Sequence, residues 1–65
     1  MNYIIKYFNK KGEHFEMVSY YYCSESQFYR HWHLFNDDAP LGLEVIKEKL
    51  NGEWVLNVIE TIDWY

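Results

Sequence analysis

Three tryptophans, seven tyrosines and four phenylalanines in a chain of 65 residues set the tightest limit on how it can fold. Each ring brings about 150 to 250 Å² of mostly apolar surface, and a domain this short hides only about 60% of the surface its unfolded chain exposes. Some rings must stay near the surface. Surface rings point to a partner, and a formal charge of −4 makes a nucleic-acid backbone a poor match for that partner.

The same shortness bounds everything else. Sixty-five residues correspond to one small domain, near the lower limit of what folds without staples. Cys23 is the single cysteine, so no internal disulfide is available, and Cys and His show no zinc-site spacing. No cofactor is implied. No apolar run approaches the roughly 20 residues that cross a bilayer, and Met1 to Asn9 lacks the basic start and apolar middle of a signal peptide. A free thiol suits a reducing compartment, so the cytoplasm is the expected location.

From Asn2 to Phe8, Tyr3, Ile5 and Tyr7 alternate with Ile4, Lys6 and Phe8, the period of a strand with apolar groups on both sides. Asn9-Lys10-Lys11-Gly12-Glu13 reads as a three-residue bulged loop with Gly12 at positive φ. That loop pairs Asn9 with Glu13, and in register Tyr7 with Phe15, Ile5 with Met17 and Tyr3 with Ser19. A second strand then runs from Glu13 through Tyr22 on its aromatic and β-branched content. Phe15, Met17, Ser19 and Tyr21 fall on one side of it, and Val18, Tyr20 and Tyr22 on the other.

Ser24-Glu25-Ser26-Gln27 is a capping box, so a helix should begin there. Phe28, Trp32 and Phe35 share one side of it, flanked by His31 and Leu34, and Trp32 is the expected core ring. Asn36 suits a left-handed cap, and Pro40 discourages continuation. Leu41 to Leu50 is ambiguous. Leu43, Ile46 and Leu50 have helical spacing, but Asn51-Gly52-Glu53 before the strand Trp54 to Ile62 favours a second hairpin. With the same bulged loop, Lys49 pairs with Glu53 and Ile46 with Leu56. That register sets Trp54, Leu56, Val58 and Ile62 beside Ile46, and Val55 and Ile59 behind with Leu43 and Val45.

The expected architecture is α+β: a ββαββ order, a four-stranded mostly antiparallel sheet and one helix packed on one face. One helix covers one side of a sheet, so the other side needs cover from outside the chain. Phe8, Val18, Tyr20, Tyr22, Val55 and Ile59 are the candidates for that interface. Trp64 and Tyr65 join them as terminal rings that fray unless docked. A homodimer is the simplest remedy, because a two-fold contact uses one self-complementary patch twice.

Chemistry-bearing residues form no recognisable constellation. Cys23 with a histidine lacks a third orienting group. His31 and His33 are two apart on a helix and point in different directions, and His14 stands apart from both. Asp37-Asp38 suits turn hydrogen bonds better than a calcium loop. Gly12, Gly42 and Gly52 are isolated, so there is no phosphate loop. Tyr20-Tyr21-Tyr22 resembles a base-stacking platform, but the basic surround of a single-strand groove is missing. The expectation is a protein that is not an enzyme.

Charge is uneven. Lys6, Lys10, Lys11 and Arg30 against Glu13, Glu16 and Glu25 leave +1 in residues 1–33. Asp37, Asp38, Glu44, Glu48, Glu53, Glu60 and Asp63 against Lys47 and Lys49 leave −5 in residues 34–65. Glu44, Glu48, Glu53, Glu60 and Asp63 are the candidate surface for a basic partner. The ordinary reading of the same acids, and the one exposed charge favours, is a solvated face that maintains solubility.

In size, acidity and aromatic content, though in no motif, the chain resembles the small inhibitors that bacteriophages and mobile elements carry against host defence systems, anti-CRISPR proteins among them. That resemblance implies a small protein-binding module that blocks a defence or nucleic-acid-handling protein by covering its surface. A module that holds a nucleotide or signalling molecule between rings at a dimer seam is the alternative function.

Overall fold

The computed structural model describes residues 2–37 and 42–62. Its elements are β1 (Tyr3–Lys11), β2 (His14–Cys23), α1 (Glu25–Asp37), β3 (Leu43–Leu50) and β4 (Glu53–Thr61). The α+β class, the four strands and the single helix therefore stand, and the ambiguous segment is a strand. The sheet order is β2-β1-β4-β3. Both hairpins are antiparallel, but they meet through a parallel pairing of β1 with β4, so the sheet is mixed. The two central strands carry apolar residues on both sides, and buried strands read as near-continuous apolar runs for that reason.

Both turns are tighter than the expected three-residue loops. Lys11 pairs with His14 across Gly12-Glu13, where only Gly12 has positive φ, at 60°, the type II′ pattern. Leu50 pairs with Glu53 across Asn51-Gly52, with φ of 50° and 80°, as a type I′ turn requires. The second change moves the register by one residue, which turns every side chain to the other face. Trp54, Leu56 and Val58 thus lie with Leu43 and Val45, and Val55 and Ile59 lie with Ile46, the reverse of the expected sorting. Nothing lies within 4 Å of a Cβ placed on Gly52, so Gly52→Ala should cost only the left-handed backbone penalty, roughly 1 to 2 kcal/mol. In a domain this size each kcal/mol should lower the thermal midpoint by roughly 4 to 8 °C; an unchanged midpoint would contradict the turn.

A bulge completes the first hairpin. Tyr7 pairs with Ser19 but Phe8 pairs with Met17, leaving Val18 as the extra residue. Beyond it Phe15 and Met17 pass to the face of Phe8, away from Ser19 and Tyr21, which corrects the expected faces of the second strand.

The helix begins as its capping box directs. The Gln27 amide donates to Ser24 Oγ at 3.3 Å and the Ser24 amide to Gln27 Oε1 at 3.2 Å. Asn36 does not adopt the left-handed conformation, and the helix continues through Asp37. Asp38 and Pro40 lie outside the described residues. Phe28, not Trp32, is the central core ring. It is fully buried with Ile5 and Leu56, beside Tyr3 and Val58, and its centroid lies 5.2 Å from that of Tyr3. Trp32, Tyr29 and Phe35 are half-buried around it. No described helix is long and apolar enough to cross a membrane.

Candidate binding face

Strand alternation and register place Ile4, Lys6 and Phe8 of β1, Tyr20 and Tyr22 of β2, Glu44, Ile46 and Glu48 of β3, and Glu53, Val55, Asn57 and Ile59 of β4 on the face opposite the helix. The bulge adds Phe15 and Met17. This face has no second layer among the described residues. Phe15, Met17, Val18, Tyr20 and Tyr22 are between 51% and 64% exposed, and Ile46 is 41% exposed. Isolated exposed apolar residues are ordinary; a contiguous set across one sheet face marks an association surface.

The residues expected at the interface divide in four. Tyr20, Tyr22 and Val18 are exposed, with Val18 at the bulge rather than in the regular alternation. Phe8 is half-buried. Val55 and Ile59 belong to the open face but are only 2% and 7% exposed, because they sit on a central strand flanked by larger neighbours. Trp64 and Tyr65 lie outside the described residues. The sequence reading missed Phe15, Met17 and Ile46 because each depended on the turn register; the Asn51-Gly52 pair was the signal that would have recovered Ile46.

Two shallow grooves cross the face. One, of about 290 Å³, is lined by Phe8, Phe15, Ile46, Glu48, Asn57 and Ile59. The other, of about 390 Å³, is lined by Ile4, Lys6, Met17, Tyr20, Tyr22 and Glu53. Asn57 Nδ2 donates to Glu48 Oε1 at 2.9 Å, and the Lys10 ammonium lies 5.4 Å from the Phe15 ring centre. The expected acidic surface is divided. Glu44, Glu48 and Glu53 share the open face, whereas Glu60 has the opposite strand parity, beside Leu43, and Asp63 lies outside the described residues. Of these acids within the described residues, only Glu44 and Glu48, on β3, are on an edge strand, because β4 is central.

The helix covers the side of the sheet over β1, β3 and β4, whereas Tyr21 on β2 remains 40% exposed. Tyr29, Trp32 and Trp54 surround the Lys47 ammonium at 5.5, 4.9 and 5.7 Å, an aromatic cage filled by the chain's own cation. These half-buried rings fasten the helix to β3 and β4. Tyr7 and Tyr21 stack at 6.2 Å beside the same core, and burial, with the Tyr7 hydrogen bond next, pushes the Tyr21 phenol up to about 12.

The remaining chemistry-bearing groups are dispersed. Burial pushes the Cys23 thiol up, opposite to the shift that activates a thiolate. His31 Nδ1 lies 2.7 Å from the Gln27 carbonyl oxygen, so it carries the proton that it donates. His33 is exposed on another side of the helix. Among the described residues no three His, Cys, Asp or Glu side chains form a group suited to a metal ion. No family model matches the chain, and no curated protein or solved structure shows significant similarity to it.

Proposed function

We propose that the protein is a small non-catalytic binding module that covers a surface on another polypeptide with its open sheet face. The observation that carries this reading is the exposed set Phe15, Met17, Tyr20 and Tyr22 along β2, with Ile46 across the face on β3, on a sheet whose opposite face carries the helix. Aromatic and methionine side chains are the residues enriched at such contacts. Glu44, Glu48 and Glu53 beside the rings favour a partner with basic groups. In its most concrete form the module blocks a nucleic-acid-handling protein, as phage-encoded inhibitors do. The small-ligand alternative has less support, because both grooves on the face are open and shallow.

Photocrosslinking tests the reading directly. A benzophenone side chain at Tyr20 should capture a polypeptide other than a second copy of this chain in the native host, whereas the same group at His33, on the helix exterior, should not. Equal capture at both positions would refute a face-specific module. Reversing Glu44 and Glu48 to Lys should slow association with the captured partner at low salt by tenfold or more and change stability little. Wild-type association should slow as salt rises. Association as fast as wild type would leave the rings alone as the determinant.

A further inference from the structure

The strand registers arrange the open face as rows that cross all four strands. Tyr20, Lys6, Asn57 and Ile46 form one row. Tyr22, Ile4, Val55 and Glu48 form the row on one side, and Met17, Phe8, Ile59 and Glu44 the row on the other. The charges are sorted by strand. Cations stand on β1 as Lys6 and Lys10, and anions on β3 and β4 as Glu44, Glu48 and Glu53. The face therefore carries both the basic stripe and the acidic stripe that a complementary partner requires.

Resting on the binding-module reading, we propose that, until another partner displaces it, the occupant of this face is the same face of a second copy, related by a two-fold axis that runs along the strands between the two sheets. That axis keeps each row at its own level and exchanges its ends. Lys6 then meets the partner's Asn57, to which the Glu48 carboxylate is already bonded. Tyr20 meets Ile46, both exposed, and Phe8 meets Ile59, whereas Ile4 and Val55 also face each other but are already only 7% and 2% exposed, and Met17 meets Glu44. Glu48 meets Tyr22, a hydroxyl donor, instead of another acid.

The other in-plane axis, across the strands, keeps each column and exchanges the outer rows. It stacks Lys6 on Lys6 and Glu44 on Glu48. Like charges brought together in a contact oppose association, so the charge pattern selects the axis along the strands. The area is at the lower limit of what a specific interface needs. Four strands about 4.8 Å apart and about eight residues long make a face of about 500 Å², so two copies bring together about 1,000 Å², the threshold for a specific interface. Sheets packed in this way keep their strands within about 30° of alignment, which preserves the row matching near the centre.

Sedimentation equilibrium between about 1 and 200 µM tests the proposal. The wild type should sediment at twice its 8.1 kDa chain mass. Lys6→Glu and Glu48→Lys should each weaken the dimer at least tenfold, and the two in one chain should recover most of that loss. A wild-type monomer throughout the range overturns the proposal, as does a dimer that neither variant weakens. A dimer strengthened by Lys6→Ala overturns it too, by selecting the other axis. Binding of an anilinonaphthalene dye separates this failure from that of the underlying reading. A monomer that binds the dye, and loses it with Tyr20→Ser, Met17→Ser and Ile46→Ser together, retains an apolar binding face without a second copy. If the triple variant binds the dye as the wild type does, the face itself is not the binding surface.

Discussion

Phe28→Ala should leave the chain unfolded, or nearly so, at room temperature. The ring is fully buried where the helix meets the sheet, against Ile5, Leu56 and Tyr3. Truncating such a ring costs about 3 to 5 kcal/mol, including the cavity it leaves. A domain of this length has a total stability of roughly 3 to 10 kcal/mol, so the loss is comparable to the whole. Far-UV circular dichroism during a urea titration measures it. Trp32→Ala should cost less, because Trp32 is half-buried at the rim and meets the Lys47 ammonium as well as the core. If Trp32→Ala unfolds the chain and Phe28→Ala does not, the centre of the core is misplaced.

Leu56→Ala should be the next most damaging change, at about 2 to 5 kcal/mol. Its neighbour supplies a control on the same strand. Val55 is also almost inaccessible, at 2%, yet it points to the open face, where no helix packs on it. Val55→Ala removes the equivalent of two methylenes and should cost about 1 to 2 kcal/mol. Chemical denaturation of the two variants side by side reads the difference. Equal losses would mean that the two faces of the sheet are equally enclosed, and the helix would not define the core side.

Local features were legible because their causes are local. The Ser24-Glu25-Ser26-Gln27 box starts the helix through hydrogen bonds that span three residues, and the alternation of Tyr3 to Phe8 marks a strand whatever it pairs with. Side assignment was not local. Both turn sites were recognised, but a two-residue loop in place of a three-residue one reversed Trp54, Leu56 and Val58 relative to Val55 and Ile59. The tighter first turn moved Phe15 and Met17 to the open face, and the bulge at Val18 returned Tyr21 to the side of Ile5. The acidic set was correct in composition but divided in space, with Glu60 separated from Glu44, Glu48 and Glu53 by strand parity.

The sequence by itself determined three strands and one capped helix, favoured a fourth strand, and carried a load of rings too large for one small core. Its short-range terms, side-chain period, turn residues and capping hydrogen bonds, act within a few residues and survive without knowledge of the rest of the chain. Only the tertiary structure decided that Phe28 fills the centre, that β1 lies parallel to β4, and that Tyr20, Tyr22, Met17 and Phe15 gather with Ile46 on the uncovered face. Those outcomes depend on which strands must be shielded from both sides and on a register parity that a single residue reverses. Both are settled by packing between segments distant in sequence.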